Sequence, residues 1–197
     1  MLDRHRPLLD GPCLDLGERQ PSYSLFFAAM LDRVSADVAW RAGLETQRLN
    51  GFHATMRPKH HLHATLWNVE HEVARQPSPQ TIASACSLGG RVLMRPFKVG
   101  FEAVQDWGRK PGVKAHAVMV GGDMTIGLEL LHRQIAEVHG DRSGGLITPH
   151  VTLFYGARRF APRTIEPLTF VVRDFALVLS FVGQTRYEIL ARFPLTA

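Results

Sequence analysis

Two stretches of this chain run strand, helix, strand, and in both the closing strand carries His-x-Thr. Residues 22–31 (SYSLFFAAML) are a continuous apolar and aromatic run, which predicts a buried strand. Residues 33–49 (RVSADVAWRAGLETQRL) space Val34, Val38, Leu44 and Leu49 near the helical period, and Asn50-Gly51 stops the helix. Residues 61–69 (HLHATLWNV) alternate and are bounded upstream by Pro58, which predicts a strand. The order returns later in the chain. Residues 113–122 (VKAHAVMVGG) predict a strand, 124–140 an amphipathic helix ending at Gly140, and 148–156 (TPHVTLFYG) a strand with Pro149 at its start.

Between and after these units, 78–90 (SPQTIASACSLGG) predict a helix with an N-cap Ser and Pro at its first position. Residues 97–107 (FKVGFEAVQDW) pair with 113–122 around the turn GRKPG, and 169–183 with 185–195 around Gly183-Gln184. The order β-α-β-α-β-β-α-β-β-β predicts an α+β fold of two pseudo-symmetric lobes. Each lobe is expected to be a mostly antiparallel sheet with helices on the outside. Residues 1–20, with their charges, Gly11, Pro7 and Pro12, are expected to be a flexible N-terminal extension, and 21–197 a single bilobal domain. A chain of 197 residues buries roughly 70% of its unfolded surface and needs no staples.

The rest of the composition excludes more than it selects. No apolar run approaches the ~20 residues of a membrane span, and the first residues lack a signal-peptide apolar core. The two cysteines, Cys13 and Cys86, form no C-x-x-C pair, so a zinc ribbon and a redox motif are unsupported. Free thiols fit a reducing compartment. The expectation is a cytoplasmic monomer with no membrane partner. A net charge of +5 permits a phosphate-bearing partner without demanding one.

His-x-Thr occurs at His53–Thr55, His63–Thr65 and His150–Thr152. The first follows Asn50-Gly51 and precedes Arg57-Pro58, so it reads as a turn. The other two lie in strands, where residues i and i+2 share a face. Each strand thus offers an imidazole and a hydroxyl side by side, backed by an apolar face. Two such strands across a cleft suit phosphodiester cleavage. A neutral His takes a proton from the attacking water, a protonated His gives one to the leaving oxygen, and hydroxyls hold the other phosphate oxygens. That set needs no metal or other cofactor. Two competing readings remain open at this point. His61 and His63 on one strand face would give the H-x-H geometry of some zinc sites, and the fold could be an RNA-binding module without turnover. Trp67 and Phe154, each four residues past a motif histidine, are expected on the same face, where they would stack a base or pack the cleft rim. His53, His116, His132 and His139 are expected in surface or structural roles, and Gly121-Gly122 and Gly144-Gly145 in turns.

HLHATLWNV and TPHVTLFYG resemble the paired His-x-Thr-x motifs of the two-histidine phosphoesterase superfamily. The similarity is to its bacterial 2'-5' RNA ligase-like (LigT-like) family, also called RNA 2',3'-cyclic phosphodiesterases. SLFFAAML, RPKHHLHATLWNV, RPFKVGFEAV and FALVLSFVGQTRYEILARFPL extend the resemblance over about residues 22–195. It implies two lobes around a central active-site cleft. It also implies hydrolysis of a 2',3'-cyclic phosphate, on RNA or a small nucleotide, to a 2'-phosphate, with 2'-5' ligation as a further activity. His63 would be the general acid, His150 the general base, and Thr65 and Thr152 the phosphate binders. The chain departs from the pattern in having Phe154-Tyr155 where a basic residue is frequent, with Arg158 and Arg159 only later. Trp67 stands where a lysine is frequent. Trp67, Phe154 and Tyr155 are the candidate substrate-binding residues.

Overall fold

The computed structural model describes residues 21–107, 115–141 and 145–196. The expected extension over 1–20, with Cys13, the turn and strand start over 108–114, and Gly144 lie outside the described residues. In chain order the elements are β1 (Ser22–Met30), α1 (Arg33–Leu49), β2 (His63–Val73), α2 (Pro79–Gly89), β3 (Phe97–Trp107), β4 (Ala115–Val120), α3 (Ile126–Val138), β5 (His150–Ala157), β6 (Arg163–Val172), β7 (Asp174–Val182) and β8 (Arg186–Pro194).

Local chemistry explains the helix ends. Asp32 caps α1, its carboxylate accepting from the Ser35 backbone N–H at 2.9 Å and from the Ser35 hydroxyl at 2.9 Å. Gly51, at φ +62°, takes the left-handed turn that follows α1. Ser78 caps α2 through Thr81 N–H at 3.0 Å, with Pro79 at the first position.

The expected α+β class and antiparallel pairing hold. Among the described residues the strands form one eight-stranded sheet in the order β6-β3-β4-β5-β2-β1-β7-β8. Its two four-stranded halves meet at β2 and β5, which pair through Ala64 and Val151. The helices tie the halves together. α1, which follows β1, packs on β3, β5 and β6, whereas α3, which follows β4, packs on β2 and β3. A continuous buried cluster results, running from Leu25 and Phe27 through Leu128 and Leu131 to Phe101 and Phe175. Burying a side chain of this size contributes about 1.5–3 kcal/mol, so the halves share most of their apolar stabilisation.

One boundary differs from the sequence expectation. The single strand expected over 169–183 is two strands that break at Arg173. β6 pairs with β3 in one half, and β7 pairs with β1 in the other. The apolar alternation runs through the break, and only the pair Arg173-Asp174 marks it. No helix among the described residues is long and apolar enough to cross a membrane.

Candidate active site

The waist of the sheet sets the geometry. Ala64 and Val151 are the middle residues of the two His-x-Thr triplets, and they are direct partners. Both are buried, at 1% and 0% exposure, so their neighbours on either side must point to the opposite face. Extending this antiparallel register sets His63 beside Thr152 and Thr65 beside His150. Directly opposed residues have Cβ atoms about 4.5–5.5 Å apart and diagonal ones roughly 7–8 Å. The two histidines are thus the diagonal of a small square, with a threonine at each other corner. All four line one cleft of about 780 Å³.

The two rings are held alike. His63 Nδ1 lies 2.7 Å from the carbonyl oxygen of His61, and His150 Nδ1 lies 2.9 Å from that of Thr148. A carbonyl only accepts, so each Nδ1 carries the proton. Each Nε2 is then an acceptor when the ring is neutral and a donor when it is charged. Phe26 stacks on the His63 ring with centroids 5.1 Å apart. Trp107 lies against the His150 ring at 4.3 Å.

A β-bulge follows each motif. Thr65 pairs with Ala28 but Trp67 with Phe27, leaving Leu66 as an extra residue. Thr152 pairs with Val118 but Phe154 with Ala117, leaving Leu153 as an extra residue. One inserted residue reverses the facing of everything after it. The expectation that Trp67 and Phe154 face the cleft is therefore corrected. Phe154 is 0% exposed and packs on Phe52, so it cannot stack a base. Trp67 turns toward His132 and His139 and lines a smaller neighbouring cavity instead. The residues after them, Asn68 and Tyr155, take the cleft side. Of the three candidate substrate-binding residues, only Tyr155 lies in the main cleft.

Arg57 enters the cleft without a signal strong enough to single it out in the sequence. Its backbone N–H donates to the carbonyl of the bulged Leu153 at 2.8 Å, which pins the loop before β2 onto β5. Its guanidinium donates to the hydroxyls of Tyr155 and Tyr187. A guanidinium has five N–H donors, so three remain, and the Nε among them is buried with no partner among the described residues. The tyrosine rings also flank the cation, with centroids 5.2 and 5.4 Å from it. Tyr187 reaches the cleft only because β8 folds back on β7, and no local sequence pattern announces it.

Burial and charge set the protonation states. Burial, then the Arg57 cation, pushes the His63 imidazole down to about 3. Burial also lowers His150. Burial raises the Tyr187 phenol, so it stays a neutral hydroxyl. Both motif histidines are therefore held toward the neutral form.

The alternative zinc geometry is not formed. His61 belongs to a 3-10 turn (Lys59–His61) rather than to β2, because its N–H bonds back to the Pro58 carbonyl at 2.9 Å. Its ring stacks on Tyr187 at 4.2 Å, and burial pushes it down to about 4. Among the described residues, no three His, Cys, Asp or Glu side chains gather as a metal site. Arg159 pairs with Asp106 at 2.7 Å, and neither it nor Arg158 lines the cleft.

No protein-family model matches the chain, and no curated protein matches it in sequence. Solved structures do resemble it. TT0787 of Thermus thermophilus superposes with a TM-score of 0.69 at 20% identity, over 87% of this chain and 97% of that one. E. coli LigT without ligand gives 0.68 at 22% identity, over 90% and 99%. LigT complexed with phosphate gives 0.64 at 24% identity, over 90% and 99%, and LigT also has a structure with 3'-AMP. At these identities the likeness is one of fold: this chain has the fold of LigT.

Proposed function

We propose that this chain is a two-histidine phosphoesterase that opens 2',3'-cyclic phosphates on RNA ends or related nucleotides without a metal. The observation that carries the reading is the waist pairing of Ala64 with Val151, which sets two Nδ1-anchored histidines and two threonines around one space. The LigT fold, and the phosphate and 3'-AMP complexes of LigT itself, support a phosphate-bearing ligand there.

In the reaction, the water oxygen bonds to phosphorus as its proton passes to His150 Nε2. The P–O3' bond breaks as His63 Nε2 gives its proton to the leaving oxygen, yielding a 2'-phosphate and a free 3'-hydroxyl. The division of acid and base follows the family pattern. Thr65 and Thr152 hydroxyls donate to the non-bridging oxygens, and Arg57 offsets their charge. The bound anion also raises the His63 imidazole, so the acid is charged where it is needed. With the 5'-hydroxyl of a second strand in place of water, the same displacement gives 2'-5' ligation.

The test is hydrolysis of a nucleoside 2',3'-cyclic phosphate in EDTA by wild type, His63→Ala and His150→Ala. Each substitution is expected to cost roughly 10²–10⁴ in rate. Wild-type rates in both variants would sink the proposal. RNA binding without hydrolysis of any cyclic phosphate would leave a binding module in its place.

A further inference from the structure

We propose that the smaller cavity on the far side of His150 is a nucleobase subsite, with Trp107 as its stacking face. The proposal rests on the phosphoesterase reading above. The cavity measures about 430 Å³, within the roughly 300–1,000 Å³ of small-molecule sites. It shares Thr65, Asn68 and His150 with the main cleft. A ligand whose phosphate sits between the histidines therefore reaches it directly.

The chemistry of its lining selects the occupant. Trp67, Trp107, Leu146 and Ile147 supply apolar and aromatic walls, and no Lys, Arg, Asp or Glu lines it among the described residues. A neutral, planar group finds an indole, because bases stack on aromatic rings whatever their identity. Trp107 is well placed for this, its ring already against the His150 ring at 4.3 Å. His132 serves as wall: its two ring nitrogens lie 2.6 and 2.8 Å from the carbonyl oxygens of Leu66 and Gly145. The Asn68 amide, a donor and an acceptor, can read the base edge.

The test compares kcat/KM for adenosine 2',3'-cyclic phosphate with that for the 2',3'-cyclic phosphate of 1-O-methylribose, which has no base. In wild type the nucleoside is expected to be preferred. In Trp107→Ala that preference falls roughly tenfold, mainly through KM, and Trp107→Phe restores most of it. Leu146→Asp, at a position 83% exposed and so without bearing on folding, lowers the preference as well. A preference within about twofold of wild type in both Trp107→Ala and Leu146→Asp overturns the subsite. Should Trp107→Ala fail to fold, Leu146→Asp decides alone. Wild type acting equally on both substrates overturns the subsite only, whereas hydrolysis of neither overturns the phosphoesterase reading beneath it.

Discussion

Among single residues, two depressed imidazoles and one cation govern the site. The proposed mechanism needs one histidine charged and the other neutral. His63 is pushed to about 3 and His150 is lowered, so above both values the singly protonated form declines with proton concentration. kcat/KM is therefore expected to peak below pH 6.5 and fall about tenfold per pH unit on the alkaline side. kcat should peak at higher pH, because bound phosphate raises His63. Arg57→Ala separates the two roles of the cation. Losing a charge-stabilising donor costs roughly 10² in kcat, while the kcat/KM optimum moves up because the cation that depresses His63 is gone. A pH–rate profile of the variant reads both. An unmoved optimum would exclude the electrostatic role.

Among the strands and helices, the paired bulges at Leu66 and Leu153 decide which side chains face the cleft. Phe154→Ala is expected to lower stability by roughly 3–5 kcal/mol in denaturant titrations, the cost of emptying a core site. Its KM for a cyclic nucleotide should stay that of the wild type under folding conditions, because the ring is in the core with Phe52. A raised KM in folded protein would mean the ring reaches substrate. Strand alternation placed His63 with Thr65 and His150 with Thr152 correctly. It failed two residues later because a bulge is set by cross-strand pairing, which no single strand's pattern records.

Across the fold as a unit, the buried histidines couple folding to pH. His63 and His61 are pushed to about 3 and about 4, against 6.5 when unfolded. Between these values the unfolded chain binds more protons than the folded one, so stability rises with pH there. It is fully present above pH 6.5 and is lost as pH falls toward 3. Thermal melts should show Tm dropping across that window, and His63→Asn should flatten the drop. A Tm independent of pH from 7 to 4.5 would contradict the burial of these rings.

The element types, the Ser78 cap and the two His-x-Thr strands were legible in the amino-acid order, because periodicity and capping are local properties of neighbouring residues. The resemblance carried by those motifs pointed to the LigT fold. Three-dimensional packing was needed to show that Ala64 meets Val151, that Leu66 and Leu153 bulge, and that the chain crosses between sheet halves at Arg173. Packing also brings Arg57, Tyr155 and Tyr187 together, and takes His61 off the strand face into a stack on Tyr187. Each of these rests on contacts between residues far apart in the chain. Their register is set by which apolar faces the halves bury together, and that is a property of the entire core rather than of any segment.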